Sequence, residues 1–178
     1  MPPDKPGPEL DTPSPWIVRF LALARPGGSL LDLAAGSGRH SRLAAALGFR
    51  VTAVDRDIAG LAGVEAIQAD LEVAPWPCPD RRFDAIVVTN YLHRPLLPLL
   101  ARSLEPAGVL LYETFAQGNE RFGRPSNPDF LLRPGELLHT FASRLLVVAY
   151  EHGVDRRPRP AVRQRIAAIQ SDTPVPLP

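Results

Sequence analysis

Asp32, Asp55 and Asp70, with a glycine pair between the first two, are the residues whose types and order suggest chemistry. Asp32 stands ahead of Leu33-Ala34-Ala35-Gly36-Ser37-Gly38-Arg39-His40. Glycines let a backbone turn tightly and approach a ligand closely, and a helix starting behind them offers unpaired N–H groups. Asp55 follows Val51-Thr52-Ala53-Val54, at about the distance from the glycines where an acid reaches ribose hydroxyls. A carboxylate suits a diol because it can accept two hydrogen bonds. Asp70, followed by Leu71, closes a further run; an acid and a neighbouring backbone N–H can read an adenine edge. Singly, each acid could equally cap a turn, and Asp55 could pair with Arg50 or Arg56. Together, at successive element ends, they favour one shared ligand.

Two later segments add reactive side chains. In Asn90-Tyr91-Leu92-His93-Arg94-Pro95, His93 has an ordinary pKa near neutrality and could act as a base. Tyr91 offers an aromatic face to a cation. The bland alternative is that both pack against their own loop. The segment Glu113 to Phe130 is long, polar and aromatic. Long unstructured connections in compact domains are uncommon and often functional, so it is expected to be a lid over a substrate. Arg121 and Arg124 could grip a carboxylate or phosphate bidentately. The alternative is a solvated loop tied down by Asn and Pro turns. Trp76 and Cys78 read as packing or loop residues, and Arg156-Arg157-Pro158-Arg159 is too short a basic run to argue for RNA.

The elements that must hold these residues alternate. A helix is expected over Trp16–Ala24, with Ser14 as cap and Pro15 in the first turn, ended by Pro26-Gly27-Gly28. Strands follow at Ser29–Leu33, Arg50–Val54, Val64–Ala69, Phe83–Thr89 and Val109–Glu113. Helices are expected at Gly38–Leu47, stopped by Gly48, around Leu96–Leu104, and at Pro134–Phe141. Leu145–Tyr150 and Ala161–Ile169 read as final strands, with helix open as an alternative for the last. Such alternation predicts an α/β fold: one Rossmann-like domain with a mostly parallel seven-stranded sheet and helices on both faces. In such sheets ligands sit beyond the carboxyl ends of the strands, near the switch point, where the residues named above fall. The Pro-rich ends, 1–15 and 171–178, are expected to be disordered tails around a domain spanning 16–170.

Bulk properties exclude little more. The 178 residues suit one domain, 45% are hydrophobic and 22% charged, and the net charge is +1, so nothing in the charge asks for nucleic acid or a membrane surface. One cysteine permits no internal disulfide, which fits a reducing, cytoplasmic setting. His40, His93, His139 and His152 lack metal-ligand spacing, so no metal is expected. No signal segment or bilayer-length apolar run is seen.

Over roughly Leu30 to Val154, the sequence resembles the class I S-adenosylmethionine-dependent methyltransferases. Pro77-Cys78-Pro79-Asp80-Arg81-Arg82-Phe83-Asp84 looks like that family's approach to its fourth strand, and Leu104-Glu105-Pro106-Ala107-Gly108-Val109-Leu110 like its turn into the fifth, with Ala107 in place of a usual glycine. Gly36-Ser37-Gly38-Arg39-His40-Ser41 is similar to the loop of small bacterial methyltransferases related to the tellurite-resistance enzyme. The resemblance implies S-adenosylmethionine as cofactor, bound by Asp32, Ala34, Gly36, Gly38, Arg39, Asp55, Arg56, Asp70, Leu71 and Asn90. It implies His93 and Tyr91 as catalytic residues, and the loop reading above points Glu113, Asn119, Arg121 and Arg124 toward a small-molecule acceptor. A dinucleotide-dependent dehydrogenase is disfavoured because Ser41 stands where its fingerprint wants a third glycine or alanine. A methyltransferase acting on RNA or protein, and a non-catalytic binder of the methyl donor or its product, remain open, as does the oligomeric state.

Overall fold

A computed structural model describes residues 11–156 and 158–178. Most of the expected N-terminal tail, and Arg157 of the basic run, therefore lie outside the described residues. Seven strands form one sheet in the order β3-β2-β1-β4-β5-β7-β6. They are β1 (Ser29–Leu33), β2 (Arg50–Asp55), β3 (Glu65–Gln68), β4 (Phe83–Thr89), β5 (Leu104–Phe115), β6 (Leu146–Asp155) and β7 (Ala161–Ile169). Helices α1 (Pro15–Phe20), α2 (Arg39–Ala46), α3 (Leu97–Arg102) and α4 (Glu136–Phe141) accompany them.

The sheet is mixed. The pairs from β3 through β5 are parallel, whereas β7 runs antiparallel to both β5 and β6. A parallel β6–β7 pair would need a crossover connection, and the few residues between these strands only close a hairpin. Ala161–Ile169 is a strand, its buried residues packing against both faces of the sheet.

The side chains of each strand alternate between two cores. Leu30, Val51, Ala85, Val87, Val109 and Leu111 meet Trp16, Ile17 and Phe20 of α1 and Ala44 of α2. Leu31, Ile86, Val88, Leu110 and Tyr112 meet Leu97 and Leu100 of α3 and Leu137 and Phe141 of α4. Helices thus cover both faces, and the polar strand ends are left to the rims.

Element boundaries differ from expectation where local geometry tightens. The first helix keeps Ser14 as its cap, with its side chain accepting from Trp16 N–H, and passes into a 3-10 turn at Leu21–Leu23. The helix expected around Leu96–Leu104 is a 3-10 turn at Arg94–Leu96 followed by α3, because Leu104 already pairs with Phe83 across the sheet. From Asp11 onward the Pro-rich N-terminal stretch is tied down: Asp11 pairs with Arg42 at 2.6 Å and accepts from Ser37 Oγ. Residues 171–178 carry no helix or strand, yet Val175 packs against the α1-side core.

Candidate active site

The order β3-β2-β1-β4-β5 reverses between β1 and β4, and that switch point is where a parallel α/β sheet opens a crevice. Ala34 and Asn90, just beyond the paired strands β1 and β4, have left-handed backbones with φ of 56° and 54°. Such conformations are costly for residues with a Cβ and cluster at functional sites. The glycine loop crosses the end of β1. A Cβ on Gly36 would meet nothing within 4 Å, whereas one on Gly38 would strike Leu61 Cδ2 at 2.8 Å. Gly36 therefore faces open space, and Gly38 lets the 55–63 segment pack under the loop.

The acids at the strand ends are held by main-chain groups. Asp55 Oδ2 accepts from Gly36 N–H at 2.8 Å and its Oδ1 from Asp57 N–H at 3.0 Å. A carboxylate has about four acceptor positions, so each oxygen keeps one for a ligand. Asp70 Oδ1 accepts from Glu72 N–H at 3.0 Å, and Leu71 beside it is buried. Arg56 is exposed, and Arg39 opens α2 half-buried.

Asp32, within β1, is buried. It is 1% exposed and accepts from Ser41 Oγ at 2.6 Å. Burial raises its carboxyl to about 6, with the Ser41 bond pulling the other way. Beside it His40 is also buried; burial, helped by Arg39, lowers its pKa to about 3. His40 Nε2 accepts from Ser14 N–H at 3.0 Å, so its proton sits on Nδ1, facing Thr89 Oγ1 at 3.4 Å. A neutral imidazole thus joins the N-terminal segment to the end of β4. Nothing in the sequence marked this pairing, since its partners are far apart along the chain.

Beyond β4 and β5 a hollow of about 220 Å³ is lined by Glu72, Asn90, Tyr91, Leu92, Thr114, Phe115, Pro125 and Phe130. The Tyr91 hydroxyl is buried and has no hydrogen-bond partner among the described residues. Burial, then the charges of Glu72, Asp70 and Asp55, raise it to about 12. Its carbonyl accepts from the buried Tyr112 hydroxyl at 2.8 Å. His93 is half-buried ahead of the 3-10 turn and is not among the lining residues. A larger hollow of about 340 Å³, between Arg25, Asp84 and Ala107, lies by the amino ends of the strands, away from these groups.

The residues expected to reach an acceptor are dispersed. Glu113 is 4% exposed and its carboxylate accepts from Arg165 Nε at 2.9 Å. Arg165 also reaches Glu151 and Asp155. Asn119, 2% exposed, donates to Pro125 O inside the loop and accepts from Val162 N–H on β7, so both ends of its amide are used. Both side chains are buried and hydrogen-bonded within the protein. Arg121 and Arg124 are exposed. The 116–133 segment is itself anchored: Arg94 donates to the carbonyls of Asp129 and Leu131 and forks onto Glu136. Its Pro125 and Phe130 form a wall of the hollow.

The crevice, the main-chain-held acids and the orphaned Tyr91 hydroxyl fit an adenosyl group carrying a cationic centre, as methyl donors do. Together with the sheet order they suit a methyltransferase. A family described as a methyltransferase domain matches residues 11–144, and the chain belongs to it. TehB from Haemophilus influenzae superposes with a TM-score of 0.68 at 17% identity, over 81% of this chain and 58% of that one; the chain thus spans under two thirds of TehB's length. A 1,6-didemethyltoxoflavin-N1-methyltransferase from Burkholderia thailandensis, with bound 1,6-didemethyltoxoflavin and S-adenosylhomocysteine, gives 0.64 at 19% identity over 93% and 80%. An S-adenosylmethionine-dependent methyltransferase from Aquifex aeolicus gives 0.65 at 18% over 94% and 95%. No curated protein matches. The chain thus carries a methyltransferase domain, and these neighbours share its fold. Among the described residues no helix is long and apolar enough to cross a membrane.

Proposed function

We propose that the enzyme methylates a small molecule, in the cytoplasm, with the acceptor seated between Tyr91 and the 116–133 segment. The observation that carries this reading is the hollow beyond β4 and β5. At about 220 Å³ it suits a small ligand rather than a polymer. Its aromatic and apolar walls from Tyr91, Leu92, Phe115, Pro125 and Phe130 suit a planar or apolar body, and Glu72, Asn90 and Thr114 supply polar contacts.

S-adenosylmethionine supplies a methyl group already activated as a sulfonium. Asp55 would hold the ribose diol with its open lone pairs, and Asp70 with the Leu71 N–H would face the adenine. Ala34, Gly36, Gly38 and Arg39 would line the donor with backbone, and Arg56 would sit at the rim. Displacement at such a methyl is promoted mainly by holding the acceptor close and aligned, a task for the hollow's walls. Tyr91, raised to about 12, keeps its proton at neutral pH and so donates a hydrogen bond rather than serving as a base. His93 is the candidate base for an acceptor with a proton to lose; it lies outside the residues lining the hollow, so an acceptor must reach past that lining to it.

The test is transfer of a radiolabelled methyl group from S-adenosylmethionine into a cell extract separated into low-mass, RNA and protein fractions. Label is expected in the low-mass fraction. Label confined to RNA or protein would overturn the acceptor reading, and donor binding without any turnover would make the protein a sensor.

A further inference from the structure

Arg163, near the start of β7, faces the end of β4 across the sheet. Its Nη1 donates to Asn90 Oδ1 at 2.6 Å. Its guanidinium also stacks 4.2 Å from the Phe115 ring centroid and lies 3.5 Å from Asp155 Oδ2, with the side chain only 18% exposed. Its neighbour Arg165 spends its donors on carboxylates: Glu113, Glu151 and Asp155. Arg163 alone of the two turns toward the crevice.

The chemistry of that bond fixes an orientation. A guanidinium has donors and no acceptor, so the amide oxygen of Asn90 must be the atom facing it. Nδ2, with two N–H donors, is then the open end. The Asn90 main chain is held as well, in its left-handed conformation, by donation to Glu113 O at 3.0 Å. We propose that Arg163 is a positioning residue that sets the Asn90 amide so that Nδ2 donates to a lone pair of the methyl donor. This rests on the donor-site reading above.

The experiment is calorimetric titration with S-adenosylhomocysteine, alongside thermal melts without ligand. Asn90→Asp keeps an oxygen for Arg163 and loses the donor; it is expected to melt like wild type and bind about tenfold more weakly. Arg163→Met is expected to weaken binding about tenfold, Arg163→Lys less, and Arg163→Met added to Asn90→Ala no further than Asn90→Ala alone. Arg165→Met is expected to lower the melting temperature and leave affinity within twofold. Wild-type affinity in Asn90→Asp, or losses that multiply in the double variant, would overturn the proposal. A wild-type protein that binds no S-adenosylhomocysteine would overturn the donor reading instead.

Discussion

The two halves of the strand-end rim hold their acids differently. Beyond β1–β3, Asp55 and Asp70 are fixed by backbone N–H groups of nearby residues, and they keep unused lone pairs toward open space. Toward β5–β7, Glu113, Glu151 and Asp155 are taken up by Arg165, and the Asn119 amide by Pro125 O and by Val162 N–H of β7. Main-chain donors hold an acid without a counter-charge: the glycine loop and the turn after β2 hold Asp55, and the turn after β3 holds Asp70. Side-chain partners arrive from distant strands and consume the group they orient. An acid of the first kind is available to a ligand; one of the second kind is part of the scaffold.

The largest expected effect of breaking this contrast is on the scaffold side. Glu113→Ala removes one of the three carboxylates around Arg165, and losing such a charged, largely buried hydrogen bond costs about 1.5–3 kcal/mol. The expected result in urea unfolding is a loss of that order, with S-adenosylhomocysteine affinity of the folded protein unchanged. A stable Glu113→Ala protein with impaired ligand binding would put Glu113 back among the functional acids.

At the seam between the halves, Asp32 and His40 oppose one another as pH changes. Asp32 is raised from 3.8 to about 6, so the folded state binds its proton more tightly. Its contribution is present below about 4 and lost as pH rises through 6. His40 is lowered from 6.5 to about 3, so its contribution is present above 6.5 and lost as pH falls toward 3. Between about 4 and 6 the slopes cancel in part. Asp32→Asn should therefore make stability fall more steeply on acidification across that window. His40→Gln should make it fall as pH rises from 4 to 6, by about 3 kcal/mol from the Asp32 shift. Unfolding titrations at several pH values decide; unchanged profiles in both variants would remove the opposition.

On the donor side the expected loss is in binding. Asp55→Ala removes a charged acceptor whose hydrogen bonds are each worth about 1.5–3 kcal/mol, so affinity for S-adenosylhomocysteine should fall about ten- to a hundredfold. The melting temperature should move little, because Asp55 is only half-buried. Calorimetry showing wild-type affinity would remove it from the ribose role.

The same contrast explains what was legible in the sequence. Asp55, Asp70 and the glycine loop were readable because each follows a short apolar run, whereas one of the two donors to Asp55, Gly36 N–H, comes from the loop 19 residues away. The strands from β1 to β5 were readable for the same local reason. The β7 direction was not, since a hydrophobic pattern gives a strand's faces and not its sense. The partners of Glu113 and Asn119 were not readable, because polarity does not reveal a partner: Arg165 and Val162 come from the last strand. His40 with Ser14, Arg163 with Asn90, and the hollow all depend on segments brought together only by folding.

Backbone strain offers the smallest and most discriminating comparison. Ala34 at the donor crevice and Ala107 at the opposite end of the sheet have φ of 56° and 62°, a region that costs a residue with a Cβ about 1–2 kcal/mol. Ala107 stands where the family resemblance expects glycine, and its N–H donates to Gln170 O at 2.8 Å, which holds the turn. Glycine relieves the strain but loses more chain entropy on folding, so Ala34→Gly and Ala107→Gly should each stabilise by about 0.5–1 kcal/mol. If the donor half is distinguished by its free acceptors and open backbone, neither change should move S-adenosylhomocysteine affinity beyond twofold, since the loop already has the required φ. A tenfold shift in Ala34→Gly, with none in Ala107→Gly, would show instead that strain at the end of β1 is part of how the donor is held.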